Sequence, residues 1–138
     1  MPAGSNRRGR ALIVDDNSNL AENIAEFLAL EGFDTEIAAS GLEAVSKALP
    51  LHPDVVVTDY RLPDMNGANV LRAFRQMGLR VRAVVVSACT DEATVADAQG
   101  AGAAFLSKPT DFEILGRMLR EMTVGARPSL PPAVPTDL

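Results

Sequence analysis

Acidic residues and one lysine stand directly after short apolar runs at three widely separated places in the chain. They are Asp15 and Asp16 after residues 11–14, Asp59 after residues 55–58, and Lys108 after residues 103–107. Adjacent carboxylates repel one another unless a cation lies between them, and oxygen ligands suit Mg²⁺. A carboxylate can also attack phosphorus to form an aspartyl-phosphate, and a lysine ammonium can neutralise the transferred oxygens. These residue types therefore indicate metal-assisted phosphoryl transfer, provided that the fold brings them together.

The apolar runs before these residues are typical of buried strands, because they are short and bounded by turn residues. Parallel strands place their carboxyl ends at one edge of a sheet, and open α/β sheets bind ligands at that edge. We therefore expect the carboxylates and the ammonium to meet there, with the hydroxyl of Ser87, which ends another apolar run. A cis bond between Lys108 and Pro109, which proline permits at modest cost, would aim the lysine back into the site.

Strand and helix patterns alternate along the chain. The predicted strands cover residues 12–14, 35–38, 55–58, 81–86 and 103–106, and the predicted helices cover about 20–30, 40–49, 68–77, 91–99 and 110–122. Capping boxes at Ser40–Glu43 and Thr110–Glu113 open the second and fifth helices, and Pro50 is expected to end the second. The alternation predicts an α/β fold with a doubly wound, five-stranded parallel sheet, although the sequence alone does not order the strands.

The bulk composition sets further limits. The net charge of −5 argues against nucleic-acid binding, which needs a basic face. One cysteine cannot form an internal disulfide, and no apolar stretch approaches the roughly 18 residues of a membrane span, so a cytoplasmic location is expected. Residues 1–9 are expected to form a flexible arm, and the Pro-rich residues 125–138 a disordered tail.

Each of the chemical features has a plainer explanation when it is taken alone. The paired aspartates could be a polar turn before a helix cap at Asn17 or Ser18, and Asp59 alone would more often be a turn residue. The lysine–proline pair alone is an ordinary strand exit. Their joint occurrence with Ser87, at four strand ends and in this order, is what favours a phosphoryl-transfer site.

The combined pattern resembles the response-regulator receiver domain of two-component signalling over about residues 10–123. The segments that carry the resemblance are Leu-Ile-Val-Asp-Asp-Asn at 12–17, Pro-Asp-Val-Val-Val-Thr-Asp-Tyr-Arg-Leu-Pro-Asp-Met-Asn-Gly at 53–67, Val-Val-Val-Ser-Ala at 84–88 and Gly-Ala-Ala-Phe-Leu-Ser-Lys-Pro at 102–109. The resemblance implies a receiver domain over residues 10–124 with a CheY-like, flavodoxin-like (βα)5 fold and strand order 2-1-3-4-5.

The resemblance also implies a role for each acidic residue. Asp59 would accept the phosphoryl group. Asp16, Asp59 and the backbone carbonyl of Arg61 would bind Mg²⁺ directly, whereas Asp15 would act mainly through water. The implied cofactor is therefore Mg²⁺, held by oxygen ligands only.

A conformational switch is implied as well. Lys108 would pair with the phosphoryl group, Ser87 would hold one of its oxygens, and Phe105 would turn inward as Ser87 moves. Pro109, which turns the chain after the lysine, is grouped with this switch. The short, Ala-rich helix at 91–99 is expected to pack weakly and to respond to the change.

The implied phosphoryl donor is a phosphohistidine on a sensor histidine kinase or a histidine phosphotransfer protein. The signal would pass to a downstream protein partner, or to a second copy of this chain through the last two helices. No pattern of a second domain follows Met122, which favours a stand-alone receiver that switches rather than turns over a substrate.

Three alternatives stay open at this point. The Pro-rich tail also fits a linker inside a larger, multidomain regulator. An Mg²⁺-dependent aspartyl phosphatase is disfavoured, because Arg61 stands two residues after Asp59, where such enzymes usually carry a second acid. A flavodoxin-like electron carrier is disfavoured by an aromatic content of only 4%, which leaves little to stack on a flavin.

Overall fold

The computed structural model describes residues 9–124, so the predicted tail and all but the last residue of the predicted arm lie outside the described residues. Five strands alternate with five helices. In chain order they are β1 (Gly9–Val14), α1 (Ser18–Leu30), β2 (Phe33–Ala38), α2 (Gly41–Leu51), β3 (Val55–Asp59), α3 (Gly67–Gln76), β4 (Arg82–Ser87), α4 (Glu92–Gly100), β5 (Ala103–Ser107) and α5 (Phe112–Val124).

The five strands form one parallel sheet in the order β2-β1-β3-β4-β5, which confirms the order that the resemblance implied. The central strand β3 is paired on both sides, with Val57 opposite Ile13 of β1 and opposite Val84 of β4. Helices also cover both faces of β3, with Val56 in one core layer and Val55 and Val57 in the other, which explains its unbroken run of β-branched valines. Because every strand points the same way, all five carboxyl ends lie at one edge.

The core consists of two layers, one on each face of the sheet. Successive strand residues point to opposite faces, so Leu12 and Val14 pack toward α2, α3 and α4, whereas Ile13 packs toward α1 and α5. On the α5 side, Leu115 and Leu119 are buried in this second layer. These leucines of α5 therefore face the core, whereas Ile114 beside them is exposed.

Two predicted helix boundaries are wrong. Pro50 does not end α2, which continues to Leu51 and closes at His52, whose N–H donates to the Ala48 carbonyl at 2.8 Å. A proline in the last turn lacks only one helical donor, so the helix tolerates it there. The start of α2, by contrast, is the one that its capping box predicts, because the Ser40 hydroxyl accepts the Glu43 N–H at 3.1 Å.

The second wrong boundary is the start of α5. Asp111, not Thr110, caps this helix, because its carboxylate accepts the Ile114 N–H at 3.1 Å and its carbonyl accepts the Leu115 N–H. Aspartate is the stronger N-cap of the two neighbours. The Thr110 hydroxyl is buried and has no hydrogen-bond partner among residues 9–124.

None of the helices between residues 9 and 124 is long and apolar enough to cross a membrane.

Candidate metal centre

Backbone hydrogen bonds just beyond the strands align their carboxyl ends. The Asp15 N–H donates to the Ala38 carbonyl at 3.0 Å, and the Lys108 N–H donates to the Ser87 carbonyl at 2.9 Å. Asn17 then caps α1 by accepting the Leu20 N–H at 3.1 Å, so the polar turn after β1 serves both the helix and the site. These contacts fix the positions from which the acidic and basic side chains emerge.

Three carboxylates meet at this edge of the sheet. One oxygen from each of Asp15, Asp16 and Asp59 lies within 4.8 Å of the others. Asp15 is buried, Asp59 is largely covered and Asp16 is exposed, so the cluster opens to solvent on one side. The arrangement matches the needs of a hydrated divalent cation that keeps several waters.

Asp15, the buried member of the cluster, is the carboxylate whose surroundings disfavour ionisation. Burial raises the pKa of Asp15 above its ordinary value, and the neighbouring charges of Asp59 and Asp16 raise it further. The Asn17 N–H, which donates to the Asp15 carboxylate at 2.9 Å, and the Lys108 ammonium oppose the rise in pKa only in part. The site therefore holds more negative charge than its protein neighbours neutralise, and a cation would relieve the excess.

The lysine predicted for this site reaches it. Lys108 Nζ lies 3.2 Å from Asp59 Oδ2, across 49 residues of sequence, with the lysine side chain 25% exposed. The bond between Lys108 and Pro109 is cis, the isomer that the sequence permits. An ammonium held beside the central carboxylate can neutralise charge that develops there.

The remaining predicted residues surround this centre. Ser87 is buried, and its hydroxyl oxygen accepts the Cys89 N–H at 3.0 Å while its own proton can still be donated. The Arg61 N–H approaches Asp59 Oδ1 at 3.4 Å. Phe105 of β5 lies opposite Val85 of β4. It is partly buried in the core layer that α2, α3 and α4 cover, called here the α2–α4 layer.

The loop between β3 and α3 contains anchoring contacts that sequence reasoning missed. Asp64 accepts the Gly41 N–H at 2.9 Å and the Leu42 N–H at 2.8 Å, which ties this loop to the start of α2. These hydrogen bonds, the one from Gly41 foremost, lower the pKa of the Asp64 carboxyl. No local pattern could reveal this contact, because the partners are 22 and 23 residues apart.

Gly67, the first residue of α3, leaves no room for a side chain beside the end of β3. A Cβ there would collide with the backbone carbonyl oxygen of Asp59, and the Gly67 N–H already donates to the Tyr60 carbonyl at 2.8 Å. We expect Gly67→Ala to lower the free energy of unfolding by about 1–3 kcal/mol, because the backbone must shift to admit the methyl group. Urea denaturation monitored by circular dichroism measures this loss.

Gly100→Ala provides the matched control for this prediction. Gly100 also lies in a helix, but a Cβ there meets only the tip of Arg72, at 3.8 Å. Because alanine favours helix more than glycine does, this variant should be as stable as the original chain or slightly more so. Equal denaturation midpoints for Gly67→Ala and the unaltered chain would show that the strand end is not packed as described.

Comparison with known proteins gives a consistent result. A family model described as the response regulator receiver domain matches residues 11–120. The chain is similar to the regulatory protein AtoC of Escherichia coli (strain K12), with 33% identity over 112 residues, which are 80% of this chain and 24% of AtoC. It is also similar to a protein-glutamate methylesterase/protein-glutamine glutaminase of Nocardioides, with 32% identity over 91% of this chain and 36% of that protein.

Among solved structures, the signal receiver domain of the putative response regulator NarL from Mycobacterium tuberculosis superimposes with a TM-score of 0.77 and 29% identity. The match covers 86% of this chain and 98% of that domain. The chain spans about a quarter to two fifths of the length of the curated relatives it matches, and the activities in their names belong to those proteins.

Proposed function

The chain belongs to the response-regulator receiver domain family, and from this membership we propose that Asp59 accepts a phosphoryl group with Mg²⁺ bound beside it. The observation that supports the proposal most is the convergence of three carboxylates and one ammonium at a single sheet edge. Their sequence positions, from 15 to 108, span nearly the whole domain. We further propose that the chain works as a phosphorylation switch and not as a turnover enzyme.

The donor set fits Mg²⁺. Asp16, Asp59 and the Arg61 carbonyl would bind the ion directly, and Asp15 would hold one of its waters. The clustered oxygens and the raised pKa of Asp15 both favour a divalent cation at this place. When bound, Mg²⁺ would neutralise charge on the phosphoryl oxygens.

The proposed transfer is an in-line displacement at phosphorus. A carboxylate oxygen of Asp59 forms the new P–O bond while the P–N bond of a phosphohistidine breaks. The bonding electron pair stays with the imidazole nitrogen, which then takes a proton from solvent. Lys108, already beside the acceptor carboxylate, pairs with the transferred oxygens, and the Ser87 hydroxyl donates to one of them.

Phosphorylation then acts on the elements behind the site. The added group brings about two negative charges and three strong acceptors. A shift of Ser87 toward these oxygens opens space near Phe105 in the neighbouring strand, and Lys108 and Pro109 follow from the end of β5. The switch would alter the surface formed by α4, β5 and α5, where a downstream protein or a second copy of this chain would bind.

A sensor histidine kinase or a histidine phosphotransfer protein is the expected donor. The curated relatives are much longer than this chain, and their length agrees with the alternative that the chain is part of a multidomain regulator. Reading the coding frame past residue 138 tests this alternative directly, and an output domain in the same frame would contradict the stand-alone prediction.

Acetyl phosphate labelling tests the proposed function. The chain is incubated with acetyl phosphate and Mg²⁺, and the modified residue is located by peptide mass spectrometry. We expect one phosphoryl group, on Asp59, and its loss when EDTA removes the metal. A label on another residue, or none in the presence of Mg²⁺, would contradict the assignment.

Replacing Lys108 separates transition-state stabilisation from metal binding. We expect Lys108→Met to slow labelling by acetyl phosphate about 100-fold, because one charged donor to the transferring group is lost. The affinity for Mg²⁺ should not fall, since loss of the lysine ammonium leaves the site more negative. Stopped-flow phosphorylation and Mg²⁺ titration measure the two effects.

Lys47→Met provides the control for the lysine change. Lys47 also pairs with carboxylates, those of Glu36 at 3.2 Å and Glu43 at 3.1 Å, but it lies on α2. The rate at which acetyl phosphate labels Lys47→Met should match the rate for the unaltered chain. An equal loss of rate in both lysine variants would mean that the Lys108 effect is one of general stability.

A further inference from the structure

Helix α4 buries only a small apolar surface against the rest of the domain. Its buried residues are Thr94 and Ala98, whereas α1 buries Ile24 and Leu28 and α5 buries Leu115. Burying an alanine contributes much less free energy than burying a leucine or an isoleucine. The position of α4 must therefore depend to a greater extent on its polar contacts.

Three side chains supply the strongest of these polar contacts. The Tyr60 hydroxyl donates to Asp97 Oδ2 at 2.7 Å, and Arg72 of α3 donates to Asp97 Oδ1 at 2.6 Å. Arg72 is itself held by the Asn69 side chain at 2.9 Å. We call Tyr60, Arg72 and Asp97 the Asp97 clasp. Hydrogen bonds to an ionised carboxylate at these lengths are among the stronger ones in proteins.

The clasp begins one residue after the proposed phosphoacceptor. The Tyr60 N–H donates to the Val86 carbonyl at 2.9 Å, and the Tyr60 carbonyl accepts the Gly67 N–H at 2.8 Å, so its backbone is fixed to β4 and α3. Its side chain leaves this fixed point and reaches the middle of α4. The clasp thus links the end of β3, where Asp59 lies, to a helix far along the chain.

Electrostatics indicate that the clasp is formed at neutral pH. The hydrogen bond from Tyr60 and then that from Arg72 lower the pKa of Asp97, and the same bond to Asp97 raises the pKa of Tyr60. Both shifts stabilise an ionised carboxylate that accepts from a neutral phenol. The interaction is therefore fully present between the ordinary titration ranges of aspartate and tyrosine.

A second connection runs from the site to the start of α4. The Ser87 hydroxyl accepts the Cys89 N–H at 3.0 Å, the Thr94 hydroxyl contacts Cys89 Sγ at 3.5 Å, and Asp91 caps the helix by accepting the Thr94 N–H at 2.8 Å. A Ser87 side chain drawn toward a phosphoryl group would disturb this turn and pull on the first turn of α4. The clasp opposes that pull, because it holds the middle of the helix to Tyr60.

We propose that the Asp97 clasp is a latch that holds α4 in its unphosphorylated position, so that releasing it favours the phosphorylated conformation. The inference rests on the proposed function of Asp59. By linkage, a contact made only in the unphosphorylated state must be overcome when the phosphorylated state forms. Removing that contact therefore raises the affinity for a phosphoryl group or its analogue.

The test measures binding of beryllofluoride, a phosphoryl analogue, with Mg²⁺ to the unaltered chain and to Tyr60→Phe. This change removes only the hydroxyl and keeps the ring, which packs against the α2–α4 layer. We expect affinity to rise about three- to tenfold, the scale of a modest allosteric coupling. Asp97→Ala should raise it at least as much, and the double variant should not exceed Asp97→Ala, because both changes break one interaction.

Arg75→Met is the matched control. Arg75 also reaches from α3 toward α4, donating at 3.0 Å to the carbonyl of Ala101, which directly follows α4, but it does not contact the clasp. Its beryllofluoride affinity should equal that of the unaltered chain. An unchanged affinity in Tyr60→Phe, or an equal rise in Arg75→Met, overturns the latch. Failure of the unaltered chain to bind beryllofluoride with Mg²⁺ overturns instead the proposed function, and with it the inference.

Discussion

Asp59→Asn is expected to abolish phosphorylation by acetyl phosphate, with no modified peptide detected where the unaltered chain is labelled. The amide lacks the nucleophilic carboxylate oxygen, so the new P–O bond cannot form at this position. The carboxylates of Asp15 and Asp16 remain nearby, but they follow another strand, and Lys108 is paired with Asp59. The expected effect is a loss of at least about 1,000-fold in labelling rate, as for removal of any covalent nucleophile.

Asp111→Asn provides the control for that result. Asp111 is exposed, lies three residues after Lys108 and caps α5. Asparagine caps helices about as well as aspartate, so stability and labelling should both be preserved. Labelling that persists in Asp59→Asn, at the same peptide or at another, would contradict the assignment of the acceptor.

Asp15→Asn is expected to be more stable than the unaltered chain without magnesium and less stable than it with magnesium. Burial and neighbouring charge raise the pKa of Asp15, so its ionised form destabilises the folded state at pH values above its ordinary pKa. An amide removes that charge and can still accept the Asn17 N–H. Without metal, the variant should therefore be more stable than the unaltered chain, by about 1 kcal/mol.

With metal the order should invert. A cation that binds only the folded state stabilises it by about 2.7 kcal/mol at 100 times its dissociation constant. The unaltered chain should show this gain, whereas Asp15→Asn should lose most of it. Urea denaturation with EDTA and with excess Mg²⁺ measures both effects, and Asp111→Asn should follow the unaltered chain throughout. Parallel Mg²⁺ responses in Asp15→Asn and the unaltered chain would show that the carboxylate takes no part in metal binding.

Local sequence patterns determined the five strands, the five helices and the shared edge. The runs at 55–58 and 84–86 are rich in β-branched valine, which is typical of strands covered on both faces. Because β1, β3, β4 and β5 each end in or directly before a polar residue, the position of the site followed from parallel pairing alone. The strand order did not follow from the residues themselves; it came from the resemblance, and the structure confirms it.

Helix ends were less well determined, because competing local signals lie one or two residues apart. Thr110 and Asp111 can both cap a helix. Which of them caps α5 depends on whose side chain reaches the first free N–H groups of the folded helix, and Asp111 does so. Similarly, a proline breaks a helix in its interior but is tolerated close to an end, and the sequence around Pro50 does not show which of these applies.

Only the tertiary structure decided which distant side chains meet. Asp64 holds the start of α2, and Tyr60 and Arg72 converge on Asp97, across separations of 22 to 37 residues that carry no periodic signal. Hydrophobic patterning specifies which face of an element is buried, but polar pairs between surface positions depend on how the helices are placed over the sheet. The chemistry of the site was therefore readable from residue types at strand ends, whereas the contacts that connect it to α4 required the folded chain.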